Sequence, residues 1–85
     1  RKGKYVVLKA KNLSDKSHNI FLSYGNKDGN NGRLTIKMHN NQDVNNYIVK
    51  IGSQQKWFTY DNTWIEVSAE NGSIEIELLE ITKGN

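Results

Sequence analysis

Trp57, Phe58, Tyr60 and Trp64 all fall inside the stretch KWFTYDNTW, so half of the chain's eight aromatic residues, including both tryptophans, share one short segment. Asp61 and Asn62 lie among them, and Gln54 and Gln55 come just before. An exposed indole or phenol ring beside amide and carboxylate groups offers a flat apolar plate with hydrogen-bonding partners at its rim. Sugars need that combination, because their C–H faces stack on rings and their hydroxyls pair with planar polar groups. The candidate ligand-binding set is therefore Trp57, Tyr60, Asp61, Asn62, Trp64 and Gln55. The plain alternative is that both tryptophans fill the interior. A domain of this size buries only about 60–65% of the surface its unfolded chain exposes, so a bulky ring is valuable inside.

Other constellations carry less chemistry. Asn26, Asp28 and Asn30 in NKDGNNG have the alternate spacing of a calcium loop. The closing glutamate is missing, with Lys37 at the twelfth place, and the glycine falls one position late. Only one carboxylate is present, which favours a solvated turn. His18 and His39 lie at strand–loop junctions without a third ligand nearby, so they read as ordinary loop residues. Glu66, Glu70, Glu75, Glu77 and Glu80 alternate with apolar residues, as outward solubilising charges do. A glycosidase pair needs two carboxylates facing each other across a cleft. No nucleophile elbow, P-loop or zinc-protease motif is present, and the chain reads as non-enzymatic. The sequons at Asn12 and Asn71 read as chance matches in a chain with twelve asparagines.

Composition narrows the classes further. At 85 residues the chain is expected to be one domain over 1–85. It opens at Arg1 without an initiator Met and reads as a piece of a larger protein. Mean hydropathy is low at −0.76, but β-branched and aromatic residues recur in regular runs, which argues against disorder. With no cysteine, a disulfide framework and a Cys-based zinc site are excluded. No apolar run approaches the ~20 residues of a membrane span. The net charge of +3 hides an asymmetry: residues 1–60 carry eleven Lys/Arg against three Asp/Glu, and residues 61–85 carry one against six. Cross-strand pairing of the two segments accounts for this. The acidic last quarter argues against a nucleic-acid surface, although Lys2, Lys4, Lys9, Lys37 and Lys50 with aromatic stacking form the third functional alternative.

The elements that must position these groups are strands, since hydrophobicity repeats every two residues nearly throughout. In KYVVLKA (4–10), Val6, Leu8 and Ala10 share a face. Ile20, Leu22 and Tyr24 do so in NIFLSY (19–24), Leu34, Ile36 and Met38 in RLTIKM (33–38), and Tyr47, Val49 and Ile51 in NYIVKI (46–51). KWFTY (56–60) is read as a further strand, with Trp57 and Phe58 on opposite faces. WIEVSAE (64–70) puts Ile65, Val67 and Ala69 inward and Trp64 outward. Asn71-Gly72 signals a two-residue hairpin. In SIEIELLEITK, Ile74, Ile76 and Leu78 are in phase, and a bulge is expected near Leu78–Leu79. Seven short strands without a helical period imply an all-β antiparallel β-sandwich of jelly-roll-like form. A small open barrel of the oligonucleotide-binding kind is the architectural alternative.

The ending, WFTYDNTWIEVSAENGSIEIELLEITKGN, resembles the last strands of bacterial carbohydrate-binding modules and related jelly-roll accessory domains. There a Trp-containing segment leads through a strand and a Gly turn into a final "I-x-I-x-x-I-x-I" strand. The opening KYVVLKAKNLSDKSHNIFLSYGN is similar to their first strands. The resemblance implies a β-sandwich that binds glycan or polysaccharide without catalysis, attached to a parent catalytic domain of a secreted or cell-surface enzyme. It carries over only Trp57, Tyr60 and Trp64 as stacking platforms. A structural or docking module using the outward Trp64 is the second functional expectation.

Overall fold

A computed structural model describes residues 3–83; Lys2, among the basic residues considered above, lies outside the described residues. The chain is all-β apart from one linker. Its strands are β1 (Tyr5–Asn12), β2 (His18–Gly25), β3 (Gly32–Met38), β4 (Val44–Val49), β5 (Trp64–Ala69) and β6 (Ile74–Thr82). They form two antiparallel sheets, ordered β4-β1-β6 and β3-β2-β5. A 3-10 turn at Ile51–Ser53 and a short helix α1 (Gln55–Thr59) join β4 to β5. No helix among the described residues is long and apolar enough to cross a membrane.

The central strands are those with the most regular apolar stripes. Val6, Leu8 and Ala10 of β1 and Ile20, Leu22 and Tyr24 of β2 are fully buried. Side chains from both sheets meet in the same clusters. One holds Val6, Leu22, Tyr24, Ile51 and Trp57, flanked by Leu34, Val49 and Ile65. The other holds Leu8, Ala10, Ile20, Met38 and Tyr47, flanked by Ala69 and Ile74. A buried aliphatic side chain contributes about 1.5–3 kcal/mol, so these two stripes carry most of the fold's cohesion.

Three expectations need correction. There are six strands among the described residues rather than seven, because KWFTY is the helix α1. A helical turn lets Trp57 enter the core while Phe58, its neighbour, stays exposed. It also carries Trp57 Nε1–H to the Gly3 carbonyl at 2.8 Å. Asn71-Gly72 does form a turn, with Gly72 at φ 76°, but it joins strands of different sheets: β5 pairs with β2, and β6 with β1. This split gives β1 and β2 a partner on each side, which a β5–β6 hairpin would not. The bulge is present one residue early. Lys9 faces Leu78 and Ala10 faces Ile76, so Glu77 is the extra residue. Residues directly opposite in an antiparallel pair share a face. Ile76, Leu79 and Ile81 therefore face inward with Ala10, Leu8 and Val6, and Leu78 faces outward with Lys9.

Candidate functional site

The segment after α1 meets the β2–β3 loop at one end of the sheets. Asn26 organises that meeting. Its Oδ1 accepts the backbone N–H of Asp28 at 3.0 Å and of Asn30 at 3.2 Å. Its Nδ2 donates to the Asp61 carbonyl at 3.0 Å. Asn and Asp are suited to this local closure because their short side chains reach backbone two to four residues on. Between the two loops lies an open cleft of about 440 Å3 lined by Asn26, Asp28, Asn30, Tyr60, Asp61 and neighbouring Lys27, Thr59 and Thr63. Asp28 and Asp61 are exposed and Tyr60 is 39% exposed, so a phenol ring and two carboxylates border one polar concavity.

Asn26, Asp28 and Asn30, which have calcium-like spacing, close their loop through local hydrogen bonds. The amide oxygen that would be the first ligand is already engaged by two backbone N–H groups of its own loop. Among the described residues, no three acidic, His or Cys side chains are grouped to hold a metal ion.

The six residues singled out above do not act as one set. Tyr60 and Asp61 border the polar cleft. Trp57 is only 7% exposed and packs edge-on against Tyr24 with centroids 5.3 Å apart. Its ring belongs to the interior and cannot present a face for stacking. Asn62 serves the end of α1: its Nδ2 donates to the carbonyls of Trp57 at 2.9 Å and Tyr60 at 3.0 Å, and more weakly to Lys56 at 3.4 Å. These are carbonyls that a helix end leaves without intrahelical partners. Its Oδ1 is buried without a hydrogen-bond partner among the described residues. Gln55 begins α1 and is exposed, but it lines none of these clefts.

Trp64 lies outward, as alternation requires, and is 41% exposed. It is level with Gly25 on β2. A Cβ on Gly25 would come within 2.8 Å of the Trp64 ring and would also strike the Asn31 amide, so glycine there lets the indole lie across the strand end. Trp64 borders a separate cleft of about 200 Å3, shared with Trp57, Asn62, Thr63, Ile65 and Ile81. That surface is apolar where the Tyr60 cleft is polar, and Thr63 borders both.

At the opposite end of the sheets, sequence reasoning missed a buried polar hub. Asn12 is fully buried. Its Nδ2 donates to the Lys16 carbonyl at 2.8 Å and the His39 carbonyl at 2.9 Å. Its Oδ1 accepts Ser14 N–H at 2.8 Å and faces His18 Nε2 at 3.0 Å. Two carbonyls fix the amide's orientation, so His18 Nε2 carries the hydrogen. The signal was available: Asn12 continues the inward phase of Val6, Leu8 and Ala10, and His18 that of Ile20, Leu22 and Tyr24. His39 stacks on Tyr47 with centroids 5.6 Å apart, and its backbone N–H donates to the Tyr47 hydroxyl at 3.1 Å.

Comparison of the chain with protein-family models, with curated proteins and with solved structures finds no match.

Proposed function

We propose that the chain is a jelly-roll-like β-sandwich that binds glycan without catalysis, as an accessory module of a bacterial polysaccharide-acting enzyme. The sandwich reading is supported by the clusters in which strands of both sheets mix. The observation that carries the binding reading is the meeting of Tyr60, Asp61, Asp28 and Asn30 at one open polar cleft. A sugar ring laid on the Tyr60 face would have carboxylate and amide partners for its hydroxyls within the same concavity. The Asn26 bond to the Asp61 carbonyl holds the two loops together before ligand arrives, so little ordering cost attends binding. Trp64 offers a second ring across Thr63.

The test is titration with neutral and acidic oligosaccharides, followed by NMR. Shifts confined to Tyr60, Asp61 and the 26–30 loop, lost in Tyr60→Ala, are expected. If no sugar moves these signals or the Trp64 indole, the reading fails. A docking role is the second reading, favoured by the apolar cleft that Trp64 shares with Ile65 and Ile81.

A further inference from the structure

The two sheets end on one side in β5 and β6 and on the other in β3 and β4. The edges of each side lie together: Ile65 and Ile81 share a cleft and a short loop joins Ala69 to Ile74, while on the other side His39, just after β3, donates its backbone N–H to the Tyr47 hydroxyl of β4 at 3.1 Å. The β5–β6 side is open. Ile76, Leu79 and Ile81 face inward, yet they are 43%, 37% and 43% exposed. Among the described residues, β6 pairs only with β1 and β5 only with β2. Soluble domains rarely leave so apolar an edge uncovered. Residues 61–82 also carry six carboxylates and no lysine or arginine. An isologous pair of these edges would bring two carboxylate-rich, cation-free edges together, which is repulsive. Some charge is met at home, since Lys11 lies opposite Glu75, but Glu66 faces Ser23 and Glu80 faces Val7.

We infer that the β5–β6 side is the acceptor for the β3–β4 side of a second copy of this chain, giving a head-to-tail assembly. The levels of the residues across each sheet carry the argument. Arg33 and Glu66 both lie opposite Ser23, on the two edges of one sheet. Lys37 lies opposite Asn19, whose carbonyl accepts Glu70 N–H at 2.9 Å. A copy placed alongside by translation therefore brings its Arg33 level with Glu66 and its Lys37 level with Glu70 at once. β3 carries no carboxylate. The other sheet agrees. Leu79 and Tyr47 both lie opposite Leu8, and Ile81 and Val49 both lie opposite Val6. The same translation thus brings the half-buried Val49 level with Ile81 beside the seam, while Tyr47 stays buried in its own copy. Each joint pairs parallel strands, because both outer strands of a sheet run antiparallel to its centre. The Glu77 bulge limits the β6 joint to Leu78–Thr82. Strand twist turns successive copies, so the array is open rather than closed.

Sedimentation velocity on the full chain, from about 10 μM to about 1 mM, a range that detects contacts of about −4 to −7 kcal/mol, tests this. The weight-average mass should climb from the 9.7 kDa chain past the dimer without a plateau. It should fall back at about 1 M salt, where the Debye length is about 3 Å. A constant monomer mass, or a plateau at the dimer, overturns the inference. Leu79→Lys/Ile81→Lys blocks the acceptor side, and Arg33→Glu/Lys37→Glu blocks the donor side. Each alone should be monomeric, and their mixture should stop at a heterodimer. A mixture that stays monomeric overturns the inference as well. The wild-type series needs no variant, so it decides the matter if either double variant loses its dispersed NMR spectrum.

Discussion

Replacing Asn12 by Ala should cost this small domain a large share of its stability. The amide makes four hydrogen bonds, to the Lys16 and His39 carbonyls, to Ser14 N–H and to the His18 ring. A neutral hydrogen bond contributes about 1 kcal/mol net, and a buried partner left unmatched costs about 1–3 kcal/mol. Lys16 is exposed and Ser14 half-buried, so water can replace the amide there. His18 is buried and has only a long 3.4 Å contact from Nδ1 to the Asn19 carbonyl besides. The loss should therefore reach about 2–4 kcal/mol. A chain of this length is expected to hold only about 4–13 kcal/mol in all. Urea unfolding followed by tryptophan fluorescence measures the change, since Trp57 leaves the core on unfolding. The midpoint should fall with an unchanged slope. A loss below about 1 kcal/mol would show that solvent replaces the whole hub, and the reasoning from burial would be wrong. A cycle with His18→Phe isolates one bond, and a coupling near zero would remove the Asn12–His18 contact from the account.

Asn62→Asp keeps the shape of the side chain but turns an acceptor toward the Trp57 and Tyr60 carbonyls; a loss of about 2–4 kcal/mol is expected, and a stability equal to wild type in the same urea assay would mean that α1 ends without this staple. Gly25→Ala should push the Trp64 indole off the strand end, raising its accessibility to acrylamide quenching and shifting its NMR signal while Trp57 is unchanged; an unmoved Trp64 signal would count against the close approach. Burial holds the Tyr24 phenol above the ordinary tyrosine value. The unfolded chain then releases its proton first as pH climbs, so this stabilisation is present below pH about 10 and lost as pH rises through the folded-state value. Followed by its NMR ring signals across the pH range, Tyr24 should ionise late, and a Tyr24 midpoint at the ordinary tyrosine value in the folded protein would refute it.

Much of the architecture was legible because alternation is a local signal with a physical cause. The stripes Val6-Leu8-Ala10 and Ile20-Leu22-Tyr24 are buried as their spacing requires, and Trp64 faces outward for the same reason. The failures share a different cause. Trp57 and Phe58 are adjacent, and period-two reasoning can only send them to opposite faces of a strand. A single helical turn sends them apart as well, and nothing in five residues distinguishes the two. What decides is the space beneath Tyr24 and Ile51, which exists only once both sheets are assembled. Asn71-Gly72 fails similarly. Its backbone freedom is real, but whether the next strand folds back or crosses to the other sheet depends on what β1 and β2 need. The candidate site was half legible: Tyr60 and Asp61 were named from the sequence, whereas Asp28 and Asn30 were noted only as a weak calcium pattern. Asn26 reaches across 35 residues to the Asp61 carbonyl, a contact that no local period encodes. The levels of Arg33 with Glu66 and of Lys37 with Glu70 are of the same kind. Each pair is set by a shared neighbour on β2, so the charge asymmetry seen along the chain becomes an asymmetry between two edges only when β2 is placed at the centre of its sheet.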